Sequence, residues 1–143
     1  MSSWSGYAGT PMILLDSNIL IDIWEPDPLW STWSGHQLRS QALLHDLAIS
    51  PIVYAEVSLL HSTPRLLDER LEALDVEVLN IPRQAAFLAG KAYQQYRRKG
   101  GTKGNVLPDF FIGAHAAVLA CPILTRDTRR YTTYFPMVRL IAP

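Results

Sequence analysis

One cysteine among 143 residues leaves no internal disulfide possible. Cys121 sits in an apolar stretch beside Pro122 and reads as a buried, inert thiol in a reducing compartment rather than as a nucleophile. No apolar run approaches the roughly 18 residues of a bilayer-spanning helix. The first 12 residues carry no Lys or Arg to open a secretion signal. These absences together predict a cytoplasmic protein. The four histidines, His36, His45, His61 and His115, show no His-x-x-x-His spacing, which argues against a zinc site and against His-based catalysis. Net charge is missing too, with 13 basic residues against 13 acidic ones.

What is present is enough apolar material for one domain. Hydrophobic residues make up 48% of the chain, and a chain of this length buries roughly 70% of its unfolded surface without help from disulfides or structural metal. The balanced charge hides a split. Residues 1–82 hold 3 basic and 11 acidic residues, net −8, whereas residues 83–143 hold 10 basic and 2 acidic, net +8. A basic surface able to meet a polyanion is one reading of that split; the other is that the halves interleave in space and cancel.

Along the chain, short apolar strands alternate with helices. Met12 to Leu15 and Leu47 to Ser50 read as strands, and Ser50-Pro51 as a helix start, because Ser caps free N–H groups and Pro at the first helical position loses no hydrogen bond. An amphipathic stretch runs from Arg65 to Leu74, a strand from Val76 to Ile81, and a helix from Pro82 through Lys99 that Gly100 and Gly101 stop. Pro108-Asp109 opens a helix rich in Gly and Ala, whose small residues let it lie close on a sheet. Pro122 to Thr125, Asp127 to Tyr134 and Val138 to Ile141 read as strand, helix and strand. Five strands separated by helices predict a three-layer α/β sandwich on a mainly parallel sheet, whose loops after the strands share one edge where ligands bind.

Two carboxylates follow strands directly, Asp16 and Asp127, and two more sit in apolar helical surroundings, Glu56 and Asp109. Each has a structural alternative: Asp16 and Asp127 as helix caps, Asp109 as an acid favoured at a helix N-terminus, Glu56 as a solvated residue. All four can also converge at the sheet edge. At a separation of about 5 Å each pair repels by roughly 3 kcal/mol at an effective dielectric of 20. Six pairs come to something on the order of 15 to 20 kcal/mol, comparable with the stability of a whole domain. Such a cluster needs protons or a hard divalent cation, and an all-oxygen set without Cys or His favours Mg²⁺ or Mn²⁺ over Zn²⁺. The chemistry natural to that ion is phosphodiester hydrolysis.

The motifs Leu-Leu-Asp16-Ser17-Asn18-Ile-Leu-Ile-Asp22, Pro51-Ile-Val-Tyr-Ala-Glu56-Val, Pro108-Asp109-Phe-Phe-Ile-Gly-Ala and Leu124-Thr125-Arg126-Asp127 resemble the PIN-domain ribonucleases in type and order. Within them the chain is most similar to the VapC toxins of type II toxin–antitoxin modules. The resemblance runs from Met12 to Pro143 and implies strand order 3-2-1-4-5, an acidic Mg²⁺ or Mn²⁺ site, homodimerisation, and inhibition by a small VapB-like antitoxin. By position Asp16, Glu56 and Asp109 match the core acids and Asp127 the fourth, as metal ligands and catalytic residues; Asn18 and Thr125 match polar positions that orient them. Many such toxins carry Asn where Asp127 stands and a further acid about four residues on, where this chain has Tyr131. Residues 1–11, with Trp4 and Tyr7, precede the usual start and are expected to be an extension to a nuclease domain spanning 12–143.

The basic residues Lys103, Arg126, Arg129 and Arg130, with Arg97, Arg98 and Lys99, are candidates to hold RNA phosphates, or else form an ordinary solvated face. Asp22, about 240° around the helix from Asp16, is expected to be peripheral. Trp24, Trp30 and Trp33 form either a helix-entry packing cluster or a groove for an antitoxin helix. Two competing functions remain: phosphotransfer through an Asp16 nucleophile, as in haloacid dehalogenase-type phosphatases, which carry Asp where this chain has Asn18, and a catalytically silent binding module.

Overall fold

In a computed structural model the described residues are 11–143. The expected extension, with Trp4 and Tyr7, therefore lies outside the described residues except for Pro11, whose carbonyl accepts from the Asp46 amide at 2.8 Å. Five strands, β1 (Met12–Leu15), β2 (Asp46–Ile49), β3 (Val76–Val78), β4 (Ile123–Leu124) and β5 (Leu140–Ile141), form one sheet in the order β3-β2-β1-β4-β5. Every pairing is parallel. Parallel neighbours require crossovers, and these are supplied by α1 (Ser17–Trp24), α2 (Ser31–Ala42), α3 (Pro51–Ser58), α4 (Pro64–Ala73), α5 (Arg83–Arg98), α6 (Leu107–Leu119) and α7 (Arg129–Tyr134). No helix among the described residues is long and apolar enough to cross a membrane.

Local chemistry sets the helix starts. Ser50 Oγ accepts from the Val53 amide at 3.2 Å and Thr63 Oγ1 from the Leu66 amide at 3.2 Å, each followed by Pro at the first helical position. The outer strands are shorter than their apolar runs. Pairing along β3 ends soon after Val78 because β2 turns into α3 at Ser50, and β3 lies at the sheet edge with no second neighbour. In the same way β5 pairs only with the two residues of β4 before Thr125 turns away. The helix expected from Asp127 begins two residues later, since the Thr125 hydroxyl accepts from the Asp127 amide at 3.1 Å and holds 125–128 as a turn.

The central strands are buried at Ile13, Leu14, Leu15, Leu47, Ala48, Ile49, Ile123 and Leu124. Helix α6 is buried through its middle, with Gly113, Ala114, His115 and Ala116 inside. Gly113 is required there: a Cβ would run into the Phe135 ring, itself fully buried. The tryptophans favour the packing reading. Trp24 and Trp33 pack against the core, Trp24 meets His61 edge-on at 5.1 Å, and Trp30 meets Trp33 edge-on at 6.1 Å.

Candidate acidic site at the sheet edge

Asp16 follows β1 directly and is the N-cap of α1, so its cap role is met by a side chain that also lines the cleft at the sheet edge. Its Oδ1 accepts from the Ser17 amide at 2.8 Å, and Oδ2 accepts from Thr125 Oγ1 at 2.9 Å and Tyr131 Oη at 2.8 Å. Thr125 reaches Asp16 because β4 lies beside β1, with the Asp16 amide donating to the Leu124 carbonyl at 3.0 Å. Asp16 is only 5% exposed. Burial pushes its pKa up, and the three hydrogen bonds oppose that by stabilising the charge.

Asp109, in the first turn of α6, shares a cleft of about 120 Å³ with Asp16, Asp127, Asn18, Arg130 and Tyr131. Burial, and then the charge of Asp16, push its pKa up to about 7 against the opposing pull of Arg130. Near neutral pH this carboxyl is therefore shared between its charged and neutral forms. Glu56, on α3, is not in the cleft wall. It is half-buried rather than solvated, its Oε1 is buried without a hydrogen-bond partner, and burial, with the charge of Asp16 adding, raises its pKa. Asp127 behaves oppositely: Arg129 grips both its oxygens, at 3.0 and 2.8 Å, and those hydrogen bonds hold its pKa below the usual carboxylate value.

Among the described residues no three His, Cys, Asp or Glu side chains are drawn tightly enough together to enclose one ion as they stand. The reason is visible in their partners: Asp16 leans on Thr125 and Tyr131, and Asp127 on Arg129. The donor set nonetheless fits a hard dication in its chemistry. It is all oxygen, it includes an unpartnered buried carboxylate oxygen on Glu56, and it holds Asp109 several units from its ordinary pKa of 3.8. Buried polar atoms without partners are uncommon and point to a missing ligand or water.

Asn18 and Thr125, the two expected to orient the acids, touch each other beside Asp16. Asn18 Nδ2 donates to Thr125 Oγ1 at 3.3 Å, and its Oδ1 accepts from the Arg126 amide at 3.4 Å. Among the cations expected to bind phosphate, Arg130 lines the cleft, whereas Arg129 and Lys103 are exposed outside it. Arg126 is turned elsewhere. Its guanidinium forms a double hydrogen bond with Asp22 at 2.8 and 3.0 Å and lies over the Trp30 ring at 5.4 Å. Asp22 is 1% exposed and also accepts from Ser34 Oγ at 2.7 Å, so it is an anchor for the loop carrying Thr125 and Asp127 rather than a peripheral residue. Sequence reasoning missed Tyr131 as a site residue; the one available signal was the motif resemblance, which set Tyr131 where an acid was expected.

The sequence profile described as "PIN domain" matches residues 13–136. No curated protein matches the sequence. Among solved structures, a toxin–antitoxin complex from Klebsiella pneumoniae is 27% identical with a TM-score of 0.61, over 88% of this chain and 94% of that one. FitAcB from Neisseria gonorrhoeae is 26% identical with a TM-score of 0.63, over 91% and 96%. DNA-bound VapBC from Salmonella typhimurium, at 23% identity and a TM-score of 0.68 over 92% and 98%, shares the fold.

Proposed function

The chain belongs to the PIN domain family, and from that premise we propose that it is a metal-dependent endoribonuclease that hydrolyses RNA phosphodiester bonds in the cytoplasm as the toxin of a toxin–antitoxin pair. The observation that carries this reading is the cleft lined by Asp16, Asp109 and Asp127, with the Asp109 pKa pushed up to about 7 and Glu56, whose Oε1 has no hydrogen-bond partner, coupled to it by charge. Asp16, Glu56 and Asp109 gain the domain nothing in stability by this arrangement, because burial and mutual charge raise the pKa of each.

Asp16, Glu56, Asp109 and Asp127 would hold Mg²⁺ or Mn²⁺, which when bound supplies acidification of an attacking water and neutralisation of developing phosphate charge. The chain's own residues do the rest. Thr125, Tyr131 and the Ser17 amide fix the direction of the Asp16 carboxylate. Arg130 presents a guanidinium to the cleft, suited to a phosphate oxygen, and Lys103 and Arg129 flank it with positive charge. Asn18 ties the Thr125–Asp127 turn to α1. Asp109 shares its carboxyl between charged and neutral forms only while the ion is absent, and a bound dication would hold it ionised as a ligand.

An antitoxin partner is part of the proposal, supported by the toxin–antitoxin complex from Klebsiella pneumoniae among the similar structures; a homodimer is proposed with it on the resemblance of the motifs alone. The test is cleavage of labelled RNA with Mn²⁺, with EDTA, and by the Asp16→Asn variant. Cleavage that needs the ion and disappears in the variant is expected. A chain that neither binds Mn²⁺ by calorimetry nor cleaves RNA would instead be a silent binding module on this scaffold.

A further inference from the structure

We propose that the C-terminal end of α5, the loop after it and α7 form a track for a single strand of RNA, on which cations mounted on tyrosine rings lead the backbone out of the acidic cleft. The proposal rests on the nuclease reading and adds to it the path and form of the substrate.

Residues 83–108 carry six cations, Arg83, Lys91, Arg97, Arg98, Lys99 and Lys103, and no acid. Two of these cations, Arg97 and Lys99, and Arg130 of α7 are seated on tyrosine rings. Arg130, which lines the cleft, lies over Tyr96 at 5.5 Å. Lys99 lies over Tyr134 at 5.7 Å, and Arg97 over Tyr93 at 6.0 Å while donating from Nη1 to the Tyr93 hydroxyl at 3.3 Å. The rings beneath them are continuous. Tyr93 stacks on Tyr96 at 6.1 Å, Tyr96 meets Tyr134 at 6.3 Å, and buried Phe110 supports all three.

The loop is built to hold this arrangement. The Gly101 amide donates to the Tyr96 carbonyl at 2.9 Å, and the Lys103 amide to the Tyr96 hydroxyl at 3.1 Å. Gly100 adopts φ +90°, and Gly101 lies so close to the Tyr96 ring that a Cβ would stand 2.5 Å from it. Among the described residues Arg97, Lys99, Lys103 and Arg130 form no ion pair with an acid, and Arg130 Nε is buried without a hydrogen-bond partner. Long side chains lose rotamer freedom when they bind, so cations already seated on rings lose less.

A row of unpaired cations that begins inside an acidic cleft suits a polyanion that crosses that cleft. An acidic peptide is a poorer match, because its carboxylates would face Asp16 and Asp109 with nothing to exchange, whereas a nucleic acid presents its scissile phosphate there. The cleft, at about 120 Å³, admits one phosphodiester rather than a duplex groove. Guanidinium and tyrosine planes also stack on unpaired bases.

The test measures equilibrium binding of a short fluorescein-labelled RNA strand, and of the same strand annealed to its complement, to the full chain carrying the cleavage-blocking Asp109→Asn, with and without Arg97→Ala and Lys99→Ala. Both added substitutions lie on exposed residues, and an unchanged melting temperature shows the fold is kept. Expected are about a 10-fold weaker single-strand affinity and a salt slope shallower by about 1.4, the value for two lost phosphate contacts. Unchanged affinity, or equal binding of the duplex, overturns the track. So does a substituted chain that keeps RNA but loses polyglutamate, which would mark the face as a protein-binding surface. If the chain without any substitution cleaves RNA while the added substitutions change nothing, the track fails and the nuclease reading stands; if it neither binds nor cleaves RNA, both fail.

Discussion

Replacing Asp109 by Asn separates the chemistry of the site from its cost in stability. The Asp109 carboxyl has an ordinary pKa of 3.8 and one of about 7 in the fold. The folded state therefore binds this proton more tightly than the unfolded chain does. The penalty is absent below about pH 4, grows as pH rises from about 4 to 7, and is constant above. Three pKa units correspond to roughly 4 kcal/mol, and discounting for the part of the group that water still reaches leaves about 2 kcal/mol. With an unfolding entropy near 0.3 kcal/mol/K for a chain of this size, Asp109→Asn should melt about 7 °C higher than the parent at pH 8 without divalent ions. At pH 4 the two should melt together. Added Mn²⁺ should raise the parent's melting temperature at pH 8 more than the variant's, because an ion that binds the folded state stabilises it by mass action. The variant should have no measurable RNA cleavage. Parallel melting curves across the whole pH range would refute the burial argument, and retained cleavage would remove Asp109 from the mechanism.

Three further outcomes follow from packing and burial. Asp22→Asn strips the charge from a buried partner of Arg126 and should cost about 2 to 3 kcal/mol in urea unfolding; a loss under about 0.5 kcal/mol would show that the pair is energetically idle. Gly113→Ala, which ordinarily favours a helix, should here destabilise by about 1 to 3 kcal/mol because its methyl meets Phe135, and calorimetry showing a more stable variant would mean the ring moves aside without strain. The Cys121 thiol is buried and its pKa is pushed up to about 11, so at pH 8 it should react with a disulfide reagent only after unfolding; prompt labelling of the native chain would contradict that burial.

Much of the fold was legible because its signals are local. Pro51 after Ser50, the glycines after α5 and the apolar runs of β1 and β2 act within a few residues of themselves. Strand ends were read less well, since the length of β3 and β5 depends on where a neighbouring strand stops, which is a property of the partner. Helix α2 was not marked as an element in the sequence: its residues, Ser-Thr-Trp-Ser-Gly-His-Gln-Leu-Arg-Ser-Gln-Ala, lack a clear apolar stripe, and it is packing against α1 that holds it. In the site, the positions of Asp16 and Asp109 were readable from strand and helix boundaries. The partners of Arg126 and Tyr131 were not, because Asp22 and Asp16 lie more than a hundred residues away in the chain.

The sequence by itself determined the parallel α/β architecture, the placing of the acids at strand ends and helix starts, and the excess of cations after residue 82, since each depends on residue type and near neighbours. Tertiary structure alone decided how those charges behave. Whether a carboxyl's pKa is pushed up, as at Asp109, or held down, as at Asp127, depends on depth and on which donor reaches it, and the Arg126 guanidinium, free to meet a phosphate as far as the sequence tells, is bound by Asp22. Burial and hydrogen bonding across the sheet are relations between distant segments, and these exist only once the chain has closed on itself.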